Sequence, residues 1–189
     1  MLNSHYLPTI FGVLVIAAAL SGPATAQNAG LEAKLQVCGS CHGQEGHPIN
    51  AMTPIIWGQQ TNFLVKQLHD FRSDDRPSPV MKPFAQTLSQ DELRPAAQYF
   101  NMKPWPTKQT NAAAMPQPSK MEVCQICHQP NFVGGAPAPR LAGQPYEYLI
   151  KAMNDFANGA RTNNMDMVKI MSELTPAERD AMAHYIAGL

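Results

Sequence analysis

Two five-residue segments combine thiols and an imidazole at the same spacing. Residues 38–42 read Cys-Gly-Ser-Cys-His, and residues 124–128 read Cys-Gln-Ile-Cys-His. Two thiols one helical turn apart can each add to a vinyl group on one edge of a porphyrin, and the adjacent imidazole can then reach the iron. These segments contain all 4 cysteines of the chain: Cys38, Cys41, Cys124 and Cys127. The pattern therefore predicts two covalently attached haem c groups.

Three other uses of paired cysteines explain less of this pattern. Zinc ribbons place their two Cys-x-x-Cys pairs about 15 to 20 residues apart, whereas 86 residues separate these pairs. A thioredoxin-like redox pair lies near a βαβ pattern, and strand patterns are scarce in this chain. Disulfides in an exported chain would leave His42 and His128 without a role.

The second half of the chain repeats the first at an almost constant offset. The offset between the cysteine motifs is 86, and this value recurs at three later pairs: Met81 and Met167, Leu88 and Leu174, and Tyr99 and Tyr185. It is 85 from the pair Gly58 and Gly143 to the pair Arg76 and Arg161. Such a period predicts two copies of one domain. Apolar residues at helical spacing predict an all-α fold in which each copy surrounds one haem.

Each copy is predicted to place its haem motif at the end of a short helix, followed by an amphipathic helix and a final helix. The amphipathic helix of the first copy covers residues 61–72, and a proline-bearing loop at residues 77–83 follows it. Ser-x-x-Glu at residues 89–92 and Thr-x-x-Glu at residues 175–178 predict capping boxes that begin the final helices. Pro95 conflicts with the first of these helices because proline removes an internal hydrogen bond.

Residues 1–26 have the composition of an export signal. The apolar run at residues 10–20 is too short to span a bilayer comfortably, and small residues at 24–26 predict cleavage before Gln27. The segment before the run contains no Lys or Arg, which departs from the usual pattern and leaves an uncleaved anchor as the alternative. We therefore expect a periplasmic protein.

The repeat and the composition divide the remaining chain into three regions. Residues 27–101 form the first domain, residues 102–119 a linker rich in Pro, Ala and polar residues, and residues 120–189 the second domain. Each domain is small for an independent core, and a haem would supply the missing apolar volume. The chain has 14 basic and 14 acidic residues, so nothing indicates a nucleic-acid partner.

Each iron needs a second axial ligand opposite its histidine. Met81 lies 39 residues after His42, and Met167 lies 39 residues after His128. A thioether sulfur opposite an imidazole is the usual electron-transfer pairing and raises the reduction potential relative to two histidines. Met165 competes in the second copy, but it does not align with Met81. We therefore predict that His42, Met81, His128 and Met167 ligate the irons.

A ligating histidine usually donates its other ring N–H to a carbonyl or carboxylate. Pro54 and Pro139 occupy equivalent positions in the two copies, and we predict that their carbonyl groups accept this bond. His47 and His69 have no counterpart in the second copy, where only His184 remains, so we interpret these three as surface or structural residues.

The order of these motifs resembles the class I cytochromes c. Each copy contains Cys-x-x-Cys-His, Pro-x-(Leu/Ile)-x-Gly-Gln, an amphipathic helix ending in Phe, a loop bearing Met, Leu-(Ser/Thr)-x-x-Glu and a helix with Tyr. Two such copies, over nearly all of residues 30–188, are similar to the dihaem cytochrome c4 family. The resemblance implies two all-α cytochrome domains that face each other across a pseudo-twofold axis, with haem propionates near the interface.

The resemblance also implies a periplasmic electron carrier. Its donor would be a quinol-cytochrome c reductase or a periplasmic dehydrogenase, and its acceptor a terminal oxidase. The haem subunit of flavocytochrome c sulfide dehydrogenase has the same two-domain plan, so an obligate subunit stays as the alternative. A dihaem redox enzyme is less favoured for two reasons. A peroxidase needs an open iron site, whereas Met81 and Met167 are predicted to fill both irons. A thiosulfate-oxidising site uses a cysteine ligand, whereas all 4 cysteines here lie in the haem motifs. A loose association with the membrane stays open.

Overall fold

Two groups of helices follow one another along the chain. The computed structural model describes residue 1, residues 23–106 and residues 116–189, with side chains in the first helix from residue 29 onward. The first group contains α1 (Pro23–His42), α2 (Thr61–Ser73), α3 (Met81–Thr87) and α4 (Leu93–Asn101). The second contains α5 (Met121–His128), a 3₁₀ turn (Pro130–Phe132), α6 (Tyr146–Ala157), α7 (Met165–Ser172) and α8 (Pro176–Ala187). The all-α fold predicted from the sequence is confirmed.

The middle helix of each half packs on the final helix because its apolar residues share one face. In α2, Leu64 and Phe71 are buried, and the helix lies against α3 and α4. In α6, Leu149 and Phe156 are buried, and the helix lies against α7 and α8. Both middle helices therefore form the base on which the two later helices of their half are arranged.

Each half encloses a hydrophobic cluster of its own. The first cluster consists of Leu35, Leu64, Leu88, Leu93, Ala96, Ala97 and Phe100. The second consists of Met121, Phe132, Ala142, Leu149, Met153, Phe156, Met171, Leu174, Met182, Ala183 and Ile186. Within the described ranges, neither cluster contains residues of the other half, which is the arrangement expected of two domains.

Polar side chains join the two halves next to α2. The side-chain oxygen of Gln67 accepts hydrogen bonds from Arg161 (2.9 Å) and Asn163 (3.1 Å), and Asn163 also donates to Asp70 (2.6 Å). We call these four residues the polar cluster. Burial lowers the pKa of Arg161 to about 10, so this guanidinium stays charged at neutral pH and needs the acceptors that the Gln67 and Asn163 side-chain oxygens provide.

Two helices differ in extent from the sequence prediction. The helix that carries the first haem motif is not short, because α1 has 20 residues and is continuous across the predicted cleavage site before Gln27. Residues 2–22 of the predicted signal lie outside the described residues. The predicted Met-bearing loop is partly helical, since α3 begins at Met81. No helix in the described residues combines the length and apolarity that crossing a bilayer requires.

The final helix of the first half begins later than the predicted capping box. Glu92 accepts from the backbone N–H of Ser89 (2.7 Å), but the Ser89 side chain does not cap the helix, and α4 begins at Leu93. This start places Pro95 in the first turn, where its missing N–H would have had no intrahelical partner. The conflict between Pro95 and the helix is thereby resolved.

The beginning of the predicted linker contacts both halves. The ring of Trp105 lies under the guanidinium of Arg140, with 4.7 Å between the guanidinium carbon and the ring centroid. The backbone of Trp105 also lies so close to Gly58 that a Cβ atom there would be 2.9 Å from the Trp105 nitrogen. Residues 107–115 of the linker lie outside the described residues.

Candidate haem-binding sites

The two cysteine motifs form the last turns of α1 and α5. In each motif the second cysteine follows the first by three residues, so both thiols lie near one face of the helix. All four cysteines are free, and Cys38 and Cys124 pack against the core of their own half. Burial raises the pKa of the Cys38 and Cys124 thiols, so both remain protonated at neutral pH. Each helix therefore offers two thiols, not joined in a disulfide, to one ligand.

The histidine at the end of each motif is buried and held by one proline carbonyl. His42 Nδ1 lies 2.8 Å from the Pro54 oxygen, and His128 Nδ1 lies 2.9 Å from the Pro139 oxygen. Because a carbonyl can only accept, Nδ1 must carry the proton, and Nε2 keeps the lone pair that can bind iron. Burial lowers the pKa of both histidines, which favours this neutral form.

A glycine fixes the end of each proline loop. Gly58 has φ of +64° and Gly143 has φ of +74°, a backbone conformation that side-chain-bearing residues rarely adopt. The Gly58 N–H donates to the Phe100 carbonyl (2.8 Å), and the Gly143 N–H donates to the Ile186 carbonyl (2.9 Å). Each loop is thus anchored to the end of the final helix in its own half, and that anchor positions the proline carbonyl.

The two candidate methionines occupy the first turns of α3 and α7. The Met81 N–H donates to the Ser78 hydroxyl (3.1 Å), and the Met167 N–H donates to the Asn164 side chain (3.0 Å). Met167 is half-buried and, like Cys124, packs against the second core. The structure therefore brings these two predicted site residues to the same cluster, while Met81 is half-buried at the start of α3.

The competing methionine and the three histidines without an assigned ligand role lie on the surface. Met165 is 67% exposed. His47, His69 and His184 are also exposed, and the ring of His184 stacks on Tyr146 with 3.8 Å between centroids.

Two buried residues beside the proline loops were not identified from the sequence. Gln59 and Gln144 are each 2% exposed, and each hydrogen-bonds to the backbone of the opposite half. The repeated Gly-Gln dipeptide was the signal that could have identified them, because a buried amide must find partners.

The residues present fit a c-type haem in each half. Each site offers two free thiols one turn apart, an imidazole whose Nε2 lone pair is available, and a methionine in the first turn of a later helix. Thioether attachment combined with histidine and methionine ligation requires this set of donors.

Comparisons with known proteins agree with this chemistry. The Cytochrome c family model matches residues 119–189. The chain is 33% identical over 186 residues to cytochrome c4 of Azotobacter vinelandii, across 84% of this chain and 87% of that protein. It is 31% identical to the thiosulfate dehydrogenase electron acceptor of Stutzerimonas stutzeri strain A1501, across 80% of this chain and 78% of that protein.

The solved structures give the same result. Reduced recombinant cytochrome c4 from Pseudomonas stutzeri has a TM-score of 0.74 to this chain at 30% identity, covering 86% of this chain and 97% of that one. With this likeness and the cytochrome c4 relative over most of the chain, the two repeated halves are two class I cytochrome c domains with covalently bound haem c. The chain therefore belongs to the cytochrome c4 family and is a dihaem carrier of electrons, not an enzyme.

Proposed function

We propose that this cytochrome carries single electrons in the periplasm and that each of its two irons binds two protein ligands. In the first half, Cys38 and Cys41 attach the haem and His42 and Met81 ligate its iron. In the second half, Cys124 and Cys127 attach the haem and His128 and Met167 ligate its iron. The observation that supports this most strongly is the pair of buried histidines, each held at Nδ1 by a proline carbonyl.

The protein residues of each site would do three things. The thiols would attach the porphyrin, the proline carbonyl orients the imidazole, and the methionine sulfur would bind the iron in place of water. When bound, the haem supplies a one-electron couple, and a thioether opposite an imidazole favours a high potential. A site with two protein ligands has no position for a substrate, which suits a carrier.

Burial supports Met167 over Met165 as the sixth ligand in the second half. Met165 is 67% exposed, whereas Met167 is half-buried against the core that also contacts Cys124. Met81 and Met167 also share a local structure, since the N–H of each donates to the side chain three residues earlier. Equivalent methionines in equivalent turns support equivalent roles.

Spectroscopy of three methionine variants tests the ligand assignment. The oxidised parent protein should show the weak near-infrared sulfur-to-iron band for two haems, and neither reduced haem should readily bind carbon monoxide. Met81→Ala should remove about half of that band and lower the potential of the first haem, and Met167→Ala should do the same at the second. Met165→Ala is the matched control and should change neither. Loss of half the band in Met165→Ala, or fast carbon monoxide binding by the parent, would contradict the assignment.

The domain boundaries and the location belong to the same proposal. We assign residues 27–101 and 120–189 to the two domains and residues 102–119 to the linker, supported by the separate cores. Removal of residues 1–26 on export would place the protein in the periplasm. Redox proteins are its partners, and we propose a quinol-cytochrome c reductase or a periplasmic dehydrogenase as donor and a terminal oxidase as acceptor.

A second candidate is the haem subunit of a periplasmic dehydrogenase. The similarity to a protein named thiosulfate dehydrogenase electron acceptor favours it. Purification from the native membrane and periplasmic fractions distinguishes the two. A free carrier should elute alone at its monomer mass, whereas a subunit should elute with a dehydrogenase in fixed proportion.

A further inference from the structure

The contacts of Gln59 and Gln144 are reciprocal across the domain interface. Gln144 of the second half accepts from the Ile55 N–H (2.9 Å) and donates to the Ile55 carbonyl (2.8 Å). Gln59 of the first half accepts from the Arg140 N–H (2.7 Å) and donates to the Arg140 carbonyl (2.9 Å). Because each backbone N–H can only donate, the orientation of both side-chain amides is determined.

Each glutamine hydrogen-bonds to a peptide group of the other half, and the carbonyl of that same peptide group accepts from the haem-motif histidine of that half. The Pro54 carbonyl and the Ile55 N–H belong to one planar amide. Its oxygen accepts from His42 Nδ1, and its N–H donates to Gln144. A continuous chain of hydrogen bonds thus runs from Gln144 in the second half, through one peptide group, to His42 in the first.

The second half contains the same chain of hydrogen bonds. The Pro139 carbonyl accepts from His128 Nδ1, and the Arg140 N–H of the same amide donates to Gln59. Both glutamines are buried, so these bonds lie in a medium that strengthens them and in which hydrogen bonds in series polarise one another.

From this geometry we infer that Gln144 and Gln59 are positioning residues, each setting the orientation and basicity of the histidine that ligates the haem of the other half. This inference rests on the proposed ligand assignment. When the N–H of this peptide group donates to the glutamine oxygen, the carbonyl oxygen of the same peptide group becomes more negative. That carbonyl then accepts a stronger hydrogen bond from the histidine Nδ1–H. A stronger bond makes the imidazole more basic and favours the oxidised iron. Each glutamine therefore lowers the reduction potential of the opposite haem.

The two chains of hydrogen bonds differ in strength. The Gln59 side-chain oxygen also accepts from the Gln60 N–H (3.0 Å). The equivalent position after Gln144 is Pro145, which has no N–H to donate. The bond from Arg140 to Gln59 is the shorter of the two, at 2.7 Å against 2.9 Å from Ile55 to Gln144. An oxygen shared between two donors nevertheless polarises each less, and on this ground we expect the effect of Gln144 on the first haem to exceed that of Gln59 on the second.

The experiment uses the full-length holoprotein and follows redox titrations by NMR, in which the signals of the two haems separate. Gln144→Leu is expected to raise the potential of the first haem and leave that of the second unchanged. Gln59→Leu should raise the potential of the second haem, by a smaller shift. In the reduced protein, the Nδ1–H signal of the affected histidine should move upfield and exchange faster with solvent.

Two further variants separate this effect from loss of packing. Gln144→Glu keeps an oxygen that accepts from the Ile55 N–H and, when protonated in this buried site, an O–H that donates to the Ile55 carbonyl. The first haem should therefore not show the rise in potential expected of Gln144→Leu. Asn163→Ala removes interdomain hydrogen bonds of the polar cluster without touching either proline loop, and it should shift neither potential selectively.

Three outcomes would overturn the inference. The first is a change of potential confined to the haem in the same half as the substituted glutamine. The second is a change of potential of equal sign in Gln144→Leu and Gln144→Glu. The third is that the potentials of Gln144→Leu do not differ from those of Asn163→Ala. The ligand assignment is tested separately by the parent protein. If the parent shows the near-infrared band at the intensity of two haems and two histidine Nδ1–H signals, but its potentials do not respond to Gln144→Leu, the inference alone is contradicted. A parent without these signals contradicts the ligand assignment.

Discussion

The two halves of this cytochrome have the same backbone contacts around the haem ligands and different side chains in their cores. In both halves, the distance from the histidine Nδ1 to the proline carbonyl oxygen is 2.8 to 2.9 Å, and the glycine N–H of the same loop donates to a carbonyl at the end of the final helix. The first core is built from Leu, Ala and Phe, whereas the second contains Met121, Met153, Met171 and Met182. Ligand position is thus held by backbone contacts that tolerate a change of core packing.

The strictest test of this comparison removes one haem at a time. The double variant Cys38→Ala/Cys41→Ala should yield a protein with one covalent haem, attached in the second half, because each half provides both of its own thiols. Cys124→Ala/Cys127→Ala is the matched control and should keep the haem of the first half. Intact-mass and peptide-mass spectrometry measure both. Two covalent haems in either variant would show that attachment does not follow the cysteine motifs.

The different cores predict different tolerance of substitution. Leu93 and Met182 are both 1% exposed, and truncating either to Ala should lower the free energy of unfolding of its half by about 2–5 kcal/mol. Met182→Leu should cost less than about 1.5 kcal/mol, since the volume is conserved and methionine cores repack readily. Guanidinium unfolding followed by circular dichroism measures all three. Equal losses in Met182→Leu and Met182→Ala would indicate a rigidly packed second core.

The shared features of the halves were predictable from the sequence, and the features that join them were not. The cysteine motifs and the repeat predict two haems and an all-α fold because chemistry and periodicity are local properties. Contacts such as Gln67 with Arg161 depend on how the domains dock, and no period in the sequence indicates which polar residues face the other domain. The same reason explains why Gln59 and Gln144 were missed.

The predicted capping boxes show how local patterns can mislead. Both copies contain the pattern, yet only the second forms it completely, between Thr175 and Glu178 at the start of α8. In the first, Pro95 would lie inside a helix begun at Ser89, so the helix begins later and the serine side chain is not used as a cap.

This difference predicts unequal effects of matched substitutions. Thr175→Ala should lower the free energy of unfolding of the second half by about 0.5–2 kcal/mol, because it removes the side-chain bond to the Glu178 N–H. Ser89→Ala should change the first half by less than about 0.5 kcal/mol, since its backbone N–H still donates to Glu92. Thermal and denaturant unfolding measure both. Equal losses would mean that the serine caps α4 in solution.

The smallest predicted effect concerns how the free energy of unfolding of each half depends on pH under acidic conditions. Glu178 accepts from Lys120 (2.5 Å) and from the Thr175 N–H (2.8 Å), and these bonds, led by that from Lys120, lower the pKa of its carboxyl to about 2. Glu92 accepts from Lys34 (2.7 Å) and Ser89, which likewise lowers its pKa, with the lysine again the larger cause.

Since both folded-state pKa values lie below the unfolded value of about 4.3, the carboxylates stabilise the fold fully above that pH. The stabilisation is lost as the pH falls through the folded pKa, about 2 for Glu178. Lys120→Ala should therefore make the unfolding free energy of the second half less dependent on pH between about 4.3 and about 2, with the Thr175 bonds retaining part of the effect. Lys34→Ala should do the same in the first half. Both effects should be small and weaken with added salt, because Lys120 is exposed and Lys34 is partly exposed. An unchanged pH dependence in Lys120→Ala at low salt would show that the threonine bonds alone set the carboxyl pKa.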